Sequence, residues 1–179
     1  MIHVGEILPT MPQTFENDVQ KAAYTQLERL NIPFKRVQTD EVITMEDCAA
    51  VDEKPDMKMV KTLFLCNRQR TEFYLFITCG DKPFKSKDLS AALGVARLSF
   101  APTEMMQSML GTKIGAATVF SVPLPSAADV QTVVDADVLK EEFYGCSDGT
   151  TTCYMKIRTR DIFDVLLPEN GIKAQIAEV

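Results

Sequence analysis

Apolar residues first recur with a helical period: Val19, Ala23, Leu27 and Leu30 stand four, four and three positions apart. They form one face of a helix starting near Thr14, with Glu16, Asn17 and Asp18 in its opening turn. Asn31-Ile32-Pro33 ends that helix, and residues 34–37 read as a short strand. Thr44 followed by Asp47 is a capping-box pair and opens a second helix over residues 44–51. The pattern then changes to two apolar runs of strand length, 60–66 and 73–79. They are joined by Asn67-Arg68-Gln69-Arg70-Thr71, which predicts an antiparallel hairpin. Helices over 87–93 and 102–110 stop at Gly94 and Gly111. Strands are expected at 97–100, 118–123, 132–135 and 153–157, and a last helix over 159–167. Strands and helices interleave and a hairpin is present, so the fold class is α/β with a mixed, largely antiparallel central sheet flanked by helices.

A chain of 179 residues is expected to be a single domain, 1–179, large enough to bury a core without disulfides. The five cysteines, Cys48, Cys66, Cys79, Cys146 and Cys153, are scattered and include no C-x-x-C pair, which fits reduced thiols. His3 is the only histidine and lies at the N-terminal end. That removes metal sites built from clustered histidines and leaves His3 as the sole base a Ser-His or Cys-His nucleophile could use, which argues against one; neither metal nor cofactor is expected. The longest uncharged stretch, 114–128, is broken by Pro123 and Pro125, so no membrane span is expected. No basic region followed by an apolar run opens the chain, and a cytoplasmic protein is expected. The net charge of −6 is unevenly spread: residues 54–97 carry +5 and the remainder −11. A local positive field of that kind receives a polyanion at one face, a solvated charged surface being the plainer alternative.

Three places have the residue types for chemistry. In Val60-Lys61-Thr62-Leu63-Phe64-Leu65, period-two alternation puts Lys61 on one face with Leu63 and Leu65. An ammonium among apolar neighbours needs an anion or an exit to water, and a lysine snorkelling from a strand end satisfies the same pattern. In Leu110-Gly111-Thr112-Lys113-Ile114-Gly115-Ala116-Ala117-Thr118-Val119, glycines and small residues let backbone N–H groups approach a ligand, or simply cap a helix and turn. Tyr144-Gly145-Cys146-Ser147-Asp148-Gly149-Thr150-Thr151-Thr152 reads as a polar turn before a strand, a ligand contact or a plain hairpin turn.

In this order these segments resemble the YbaK/prolyl-tRNA synthetase-associated editing-domain family, and within it the free-standing Ala-tRNA(Pro) deacylases. The resemblance starts at Leu27-Glu28-Arg29-Leu30-Asn31-Ile32-Pro33-Phe34. It continues through Asp88-Leu89-Ser90-Ala91-Ala92-Leu93-Gly94, Arg97-Leu98-Ser99-Phe100-Ala101, Leu110-Gly111 and Thr150-Thr151, and covers roughly residues 16 to 167. It implies hydrolysis of the ester of a wrongly charged aminoacyl-tRNA, the second sieve needed where a synthetase pocket cannot reject a smaller amino acid. It also implies that Lys61 meets the phosphate or ribose end of the tRNA, and that Gly115 anchors a loop holding the aminoacyl group against backbone amides. Thr62, Ile114, Ala116, Ala117, Thr118, Val119, Tyr144 and Gly145 fall on the implied substrate-binding positions. Water is the implied nucleophile, helped by a hydroxyl of the tRNA.

The chain departs from the family pattern at several of these places. Tyr144-Gly145 replaces His-Pro, Val119 and Ile114 stand where the loop has proline, Thr39-Asp40-Glu41 replaces His-x-Ala, and Thr62 stands where alanine-specific members often have asparagine. The departures and the acidic total charge motivate a second reading, a non-catalytic protein of the same fold that holds a tRNA end, a nucleotide or an amino acid. A third is thiol chemistry at Cys66 or Cys146. The implied partner is aminoacyl-tRNA, with tRNA(Pro) as the expected species.

Overall fold

The structure, a computed structural model, describes residues 2–42 and 44–179, the side chain of Met45 excepted. Helix α1 (Asp18–Arg29) starts later than the sequence pattern predicts, because Asn17 caps it: its Oδ1 accepts the Gln20 N–H at 2.8 Å. Val19, Ala23 and Leu27 are buried and Leu30 packs at the margin, so the predicted apolar face is the packed face. Helix α2 (Met45–Glu53) carries the predicted capping box, Asp47 N–H to Thr44 Oγ1 and Thr44 N–H to Asp47 Oδ2, both 3.1 Å. Helix α3 (Ser86–Leu93) ends at Gly94 in the left-handed conformation. Helix α4 (Thr103–Met105) widens into a π-helical turn, Met106–Leu110, and another such turn, Asp161–Leu166, runs into α5 (Leu167–Glu169).

The strands are β1 (Phe34–Gln38), β2 (Val60–Cys66), β3 (Phe73–Cys79), β4 (Ser99–Phe100), β5 (Val130–Asp135), β6 (Phe143–Ser147), β7 (Cys153–Arg158) and β8 (Gln175–Ala177). They make two sheets. One is antiparallel, in the order β1-β7-β6; the other runs β4-β2-β3-β5-β8, with β2 antiparallel to β3 and β4, and β5 parallel to β3 and β8. The α/β class and largely antiparallel pairing are those expected, while the central sheet is divided in two. The halves meet where Met59 bridges Gly145 in parallel. A Cβ at Gly145 would lie 2.8 Å from Lys58 O, so this approach needs glycine.

Two sequence expectations are corrected. Residues 118–123 are not a strand: Thr118 Oγ1 caps a 3₁₀ turn, Val119–Ser121, whose side chains are buried. The polar turn expected from residue 144 onward is a strand as far as Ser147, and only residues 148–152 form the connection to β7.

The main core lies against α1, the inner face of β2–β3–β5 and the inner face of β6–β7. A second cluster, including Leu65, Phe76 and Leu89, packs α3 on the outer face of the larger sheet. A third, including Val37, Cys48, Met59 and Tyr154, lies beneath α2. The two sheets therefore share one core and leave a seam between β2 and β6, and the candidate site occupies that seam.

Candidate functional site

Alternation along β2 sends Phe64 and Cys66 into the main core and Leu63 and Leu65 toward α3, which leaves Lys61 on the α3 side at the strand's open end. The Lys61 side chain is half-buried, and its Nζ donates to Lys82 O at 2.6 Å. This single protein acceptor among the described residues leaves donor capacity on the ammonium, which has three N–H groups. Beside it a cavity of about 420 Å³ opens, walled by β2, the first turn of α2, β4 with α4, the loop after Gly111, and β6–β7. Lys61 is the charged residue on that wall, and no carboxylate lines it among the described residues.

The loop wall comes from Ile114, Gly115 and Ala117. Gly115 adopts a φ of +87°, which favours glycine and sets the turn's direction. The Ala116 N–H is taken by Lys113 O at 3.1 Å, whereas the Gly115 and Ala117 amides have no hydrogen-bond partner among the described residues. Below the turn, Thr118 Oγ1 donates to Ser147 O at 2.6 Å and anchors the loop to β6. From outside, Glu41 accepts from Lys113 Nζ at 3.1 Å and from Thr151 Oγ1 at 3.2 Å. The Lys113 hydrogen bond, then that from Thr151, holds the Glu41 carboxyl below its ordinary value.

The sequence-predicted residues thus separate into three groups. Lys61, Thr62, Ile114, Gly115 and Ala117 line one cavity. Ala116, Thr118 and Val119 are buried behind the loop wall, Val119 within the main core. Tyr144 and Gly145 sit in β6 off the cavity: the Tyr144 ring is fully buried edge-on to Phe163, and Gly145 packs on Lys58.

Thiol chemistry finds no support in these surroundings. Cys66 and Cys146 are both 2% exposed, and burial pushes the Cys146 thiol well above its ordinary value. Cys48, also on the cavity wall, is raised to about 11 by burial and then by Asp52 and Asp47.

Several participants carried no signal in the sequence. The Glu41 clamp joins positions 72 and 110 residues apart. Tyr154 and Cys48 reach the cavity because the third core cluster backs onto it. A second, larger cavity of about 730 Å³ shares Cys48, Met59 and Val60 with the first. Its lysines are each paired with acids: Lys58 with Glu141 at 3.3 Å, Lys82 with Asp135 and Asp137 at 2.8 and 2.9 Å, and Lys140 with Asp137 at 2.9 Å, while Asp52 and Asp81 also line it. Among the described residues no group of three potential ligands is placed to hold a metal, and no helix is long and apolar enough to cross a membrane.

The chain is similar to the prolyl-tRNA editing protein ProX of Acetoanaerobium sticklandii, 29% identical over 122 residues, covering 68% of this chain and 74% of that protein. It is also 30% identical over 92 residues to a proline–tRNA ligase of Aquifex aeolicus, a match spanning 51% of this chain and 16% of the ligase. Its fold matches a crystal structure of a candidate trans-editing enzyme for prolyl tRNA synthetase with a TM-score of 0.64 at 16% identity, over 92% of this chain and 99% of the other. The profile of the aminoacyl-tRNA editing domain matches residues 39–165, well over half of the chain, and the protein belongs to that family.

Proposed function

We propose that this protein is a trans-editing deacylase that hydrolyses the ester of mischarged aminoacyl-tRNA, with Ala-tRNA(Pro) as its substrate. The observation that carries the reading is the union, in one carboxylate-free cavity, of an under-partnered lysine and a glycine turn with unpaired amides. A tRNA terminus is anionic, and a wall bearing a cation and no acid accepts it without like-charge repulsion. Lys61 holds the phosphate or ribose end. The Gly115 and Ala117 amides receive the ester carbonyl oxygen and the negative charge that develops on it as the tetrahedral intermediate forms. Thr62 and Ile114 bound the side chain of the amino acid.

Water attacks the carbonyl carbon, the acyl–oxygen bond to the ribose breaks, and the water's proton passes to the departing ribose oxygen, giving free amino acid and free tRNA. A neighbouring ribose hydroxyl of the substrate serves as the relay, in keeping with a cavity wall without histidine or carboxylate. The test is deacylation of tRNA(Pro) charged in turn with alanine, serine, cysteine and proline, with Lys61→Ala as control. The expected result is rapid loss of the alanyl ester, Pro-tRNA spared, and turnover lowered about 100-fold or more in the variant. Unchanged turnover by folded Lys61→Ala protein would overturn the assignment of the lysine; no cleavage of any ester by the wild type would overturn the activity.

A further inference from the structure

Phe100 is an aromatic residue that the fold leaves in water. It is 64% exposed on β4, the edge strand of the larger sheet, and it lines the same cavity as Lys61. Pairing with Leu65 in the antiparallel register places it on the α3 face, the face that Lys61 also takes. The exposed ring is nevertheless held. It meets Phe84 edge-on at 5.8 Å between centroids, and Phe84 packs on the buried Phe76 at 6.0 Å. Ile114, 66% exposed, lines the same cavity.

The surroundings are cationic. Lys85 follows Phe84, Lys87 lies in the first turn of α3, and Arg97 precedes the edge strand; all three are exposed, and none makes an ion pair among the described residues. Asp81 and Asp88 are the acids of this stretch, so it keeps a positive balance within an acidic protein. Ser86 Oγ bonds Leu98 O and ties the start of α3, where Lys85 and Lys87 stand, to the segment that leads into the edge strand. An exposed ring held from behind, on the lining of a cavity and in a stretch of chain with unpaired cations, is an arrangement that recognises the end of a single nucleic-acid strand: the ring takes a base and the cations take the backbone.

We propose that Phe100 is the stacking platform for the terminal nucleobase of the acceptor strand, with Ile114 as a further apolar contact from the same cavity lining and Lys85 and Arg97 on the phosphates that precede it. The proposal rests on the editing reading for the identity of the strand. It assigns Phe100 a positioning role, setting where the ester lies relative to Lys61, and no part in bond breaking.

The test separates this from the editing activity by using uncharged RNA. Binding of a short RNA ending in CCA is compared with binding of the same RNA whose last nucleotide lacks its base, for the wild type, Phe100→Ala, Phe100→Trp and Arg97→Ala. The wild type is expected to prefer the base-bearing RNA by about 10-fold. Phe100→Ala abolishes that preference, Phe100→Trp keeps it, and Arg97→Ala weakens both RNAs alike and lowers the salt dependence. With charged tRNA, Phe100→Ala raises KM more than it lowers kcat. Equal binding of the two RNAs by the wild type, binding of neither, or an undiminished preference in Phe100→Ala overturns the platform even where esters are cleaved. A Phe100-dependent preference without cleavage of any ester supports the platform and removes the editing reading instead.

Discussion

Asp148 and Lys61 are both charged groups drawn into the body of the protein, and their surroundings are built on opposite rules. The Asp148 carboxylate is fully buried and saturated: it accepts from Gln20 Nε2 at 2.9 Å, Tyr24 OH at 2.8 Å, and Thr150 Oγ1 and N–H at 2.7 and 3.2 Å. Burial, and then the Asp148 charge, raises the Tyr24 hydroxyl above its ordinary value, so it stays protonated and keeps donating. Those donors come from α1 and from the connection between β6 and β7, so the cluster joins the helix to the smaller sheet. Among the described residues Lys61 has one protein acceptor, and an open cavity lies beside it. A satisfied buried charge holds a fold together, whereas an under-satisfied one at a cavity is free to take a ligand.

Exchanging the two roles by mutation is the strongest way to break that contrast. Asp148→Ala strands the Gln20, Tyr24 and Thr150 donors in a dry interior, and the expected loss is about 3–5 kcal/mol, a fall in Tm of roughly 10 °C. Lys61→Ala removes one half-buried hydrogen bond and is expected to move Tm by no more than about 2 °C while deacylation collapses. Thermal unfolding of both variants beside the deacylation assay reads this directly. A large Tm loss in Lys61→Ala would make the lysine structural and erase the distinction.

The seam between the sheets gives the next effect in size. Gly145→Ala places a methyl 2.8 Å from Lys58 O and 3.0 Å from Lys58 C, atoms that move only with the backbone entering β2. The expected destabilisation is about 1–3 kcal/mol. Activity should fall further than stability alone explains, since the same shift displaces the strand that carries Lys61. A variant that melts early but retains wild-type kcat at low temperature would show that the cavity tolerates movement of the seam.

These residues also show what was legible in the chain. Strand alternation placed Lys61 correctly because β2 is half-buried on two different cores, and period two then fixes every side chain. The α1 face and the Thr44 cap were legible for the same local reason. The run Val119-Phe120-Ser121-Val122 mimics a strand in composition, yet its burial comes from a capped turn pressed into the core. β6 was hidden by Gly145 and Ser147, which read as turn residues; a glycine inside a strand marks close backbone approach, the one signal available for the seam. The division of the sheet, and the cavity it creates, depend on contacts across the whole chain that no local pattern encodes.

Asp52 sharpens the comparison from within α2. Its carboxylate accepts the Met59 N–H at 3.0 Å, just before β2, and burial pushes its pKa up from 3.8 to about 6 against that bond. A raised carboxyl pKa means that the folded state favours the proton. The contribution to stability is therefore full below about pH 4 and is lost as pH climbs through about 6. Asp52→Asn keeps an acceptor for Met59 and cannot ionise. The stability of the wild type relative to this variant should decline across that window, read as urea midpoints at several pH values. A constant difference would mean that Asp52 is better solvated than its position implies.

Glu41 is the intermediate case and the smallest effect. It is exposed, yet it touches the site by pinning Lys113 and Thr151 on either side of the Gly115 turn. Its pKa is depressed by these partners, so the clamp is present above the ordinary carboxylate range and released as pH falls through the lowered value. Glu41→Gln is expected to leave Tm unchanged and to raise KM about twofold near neutral pH, in line with the small value of exposed ion pairs. The difference should shrink as the wild-type carboxylate is protonated, and high salt should reproduce it by screening Lys113 from Glu41. A kcat effect larger than the KM effect would show that the loop's position, and not its occupancy by substrate, limits the reaction. The exposed clamp would then belong with Lys61 on the functional side of the contrast.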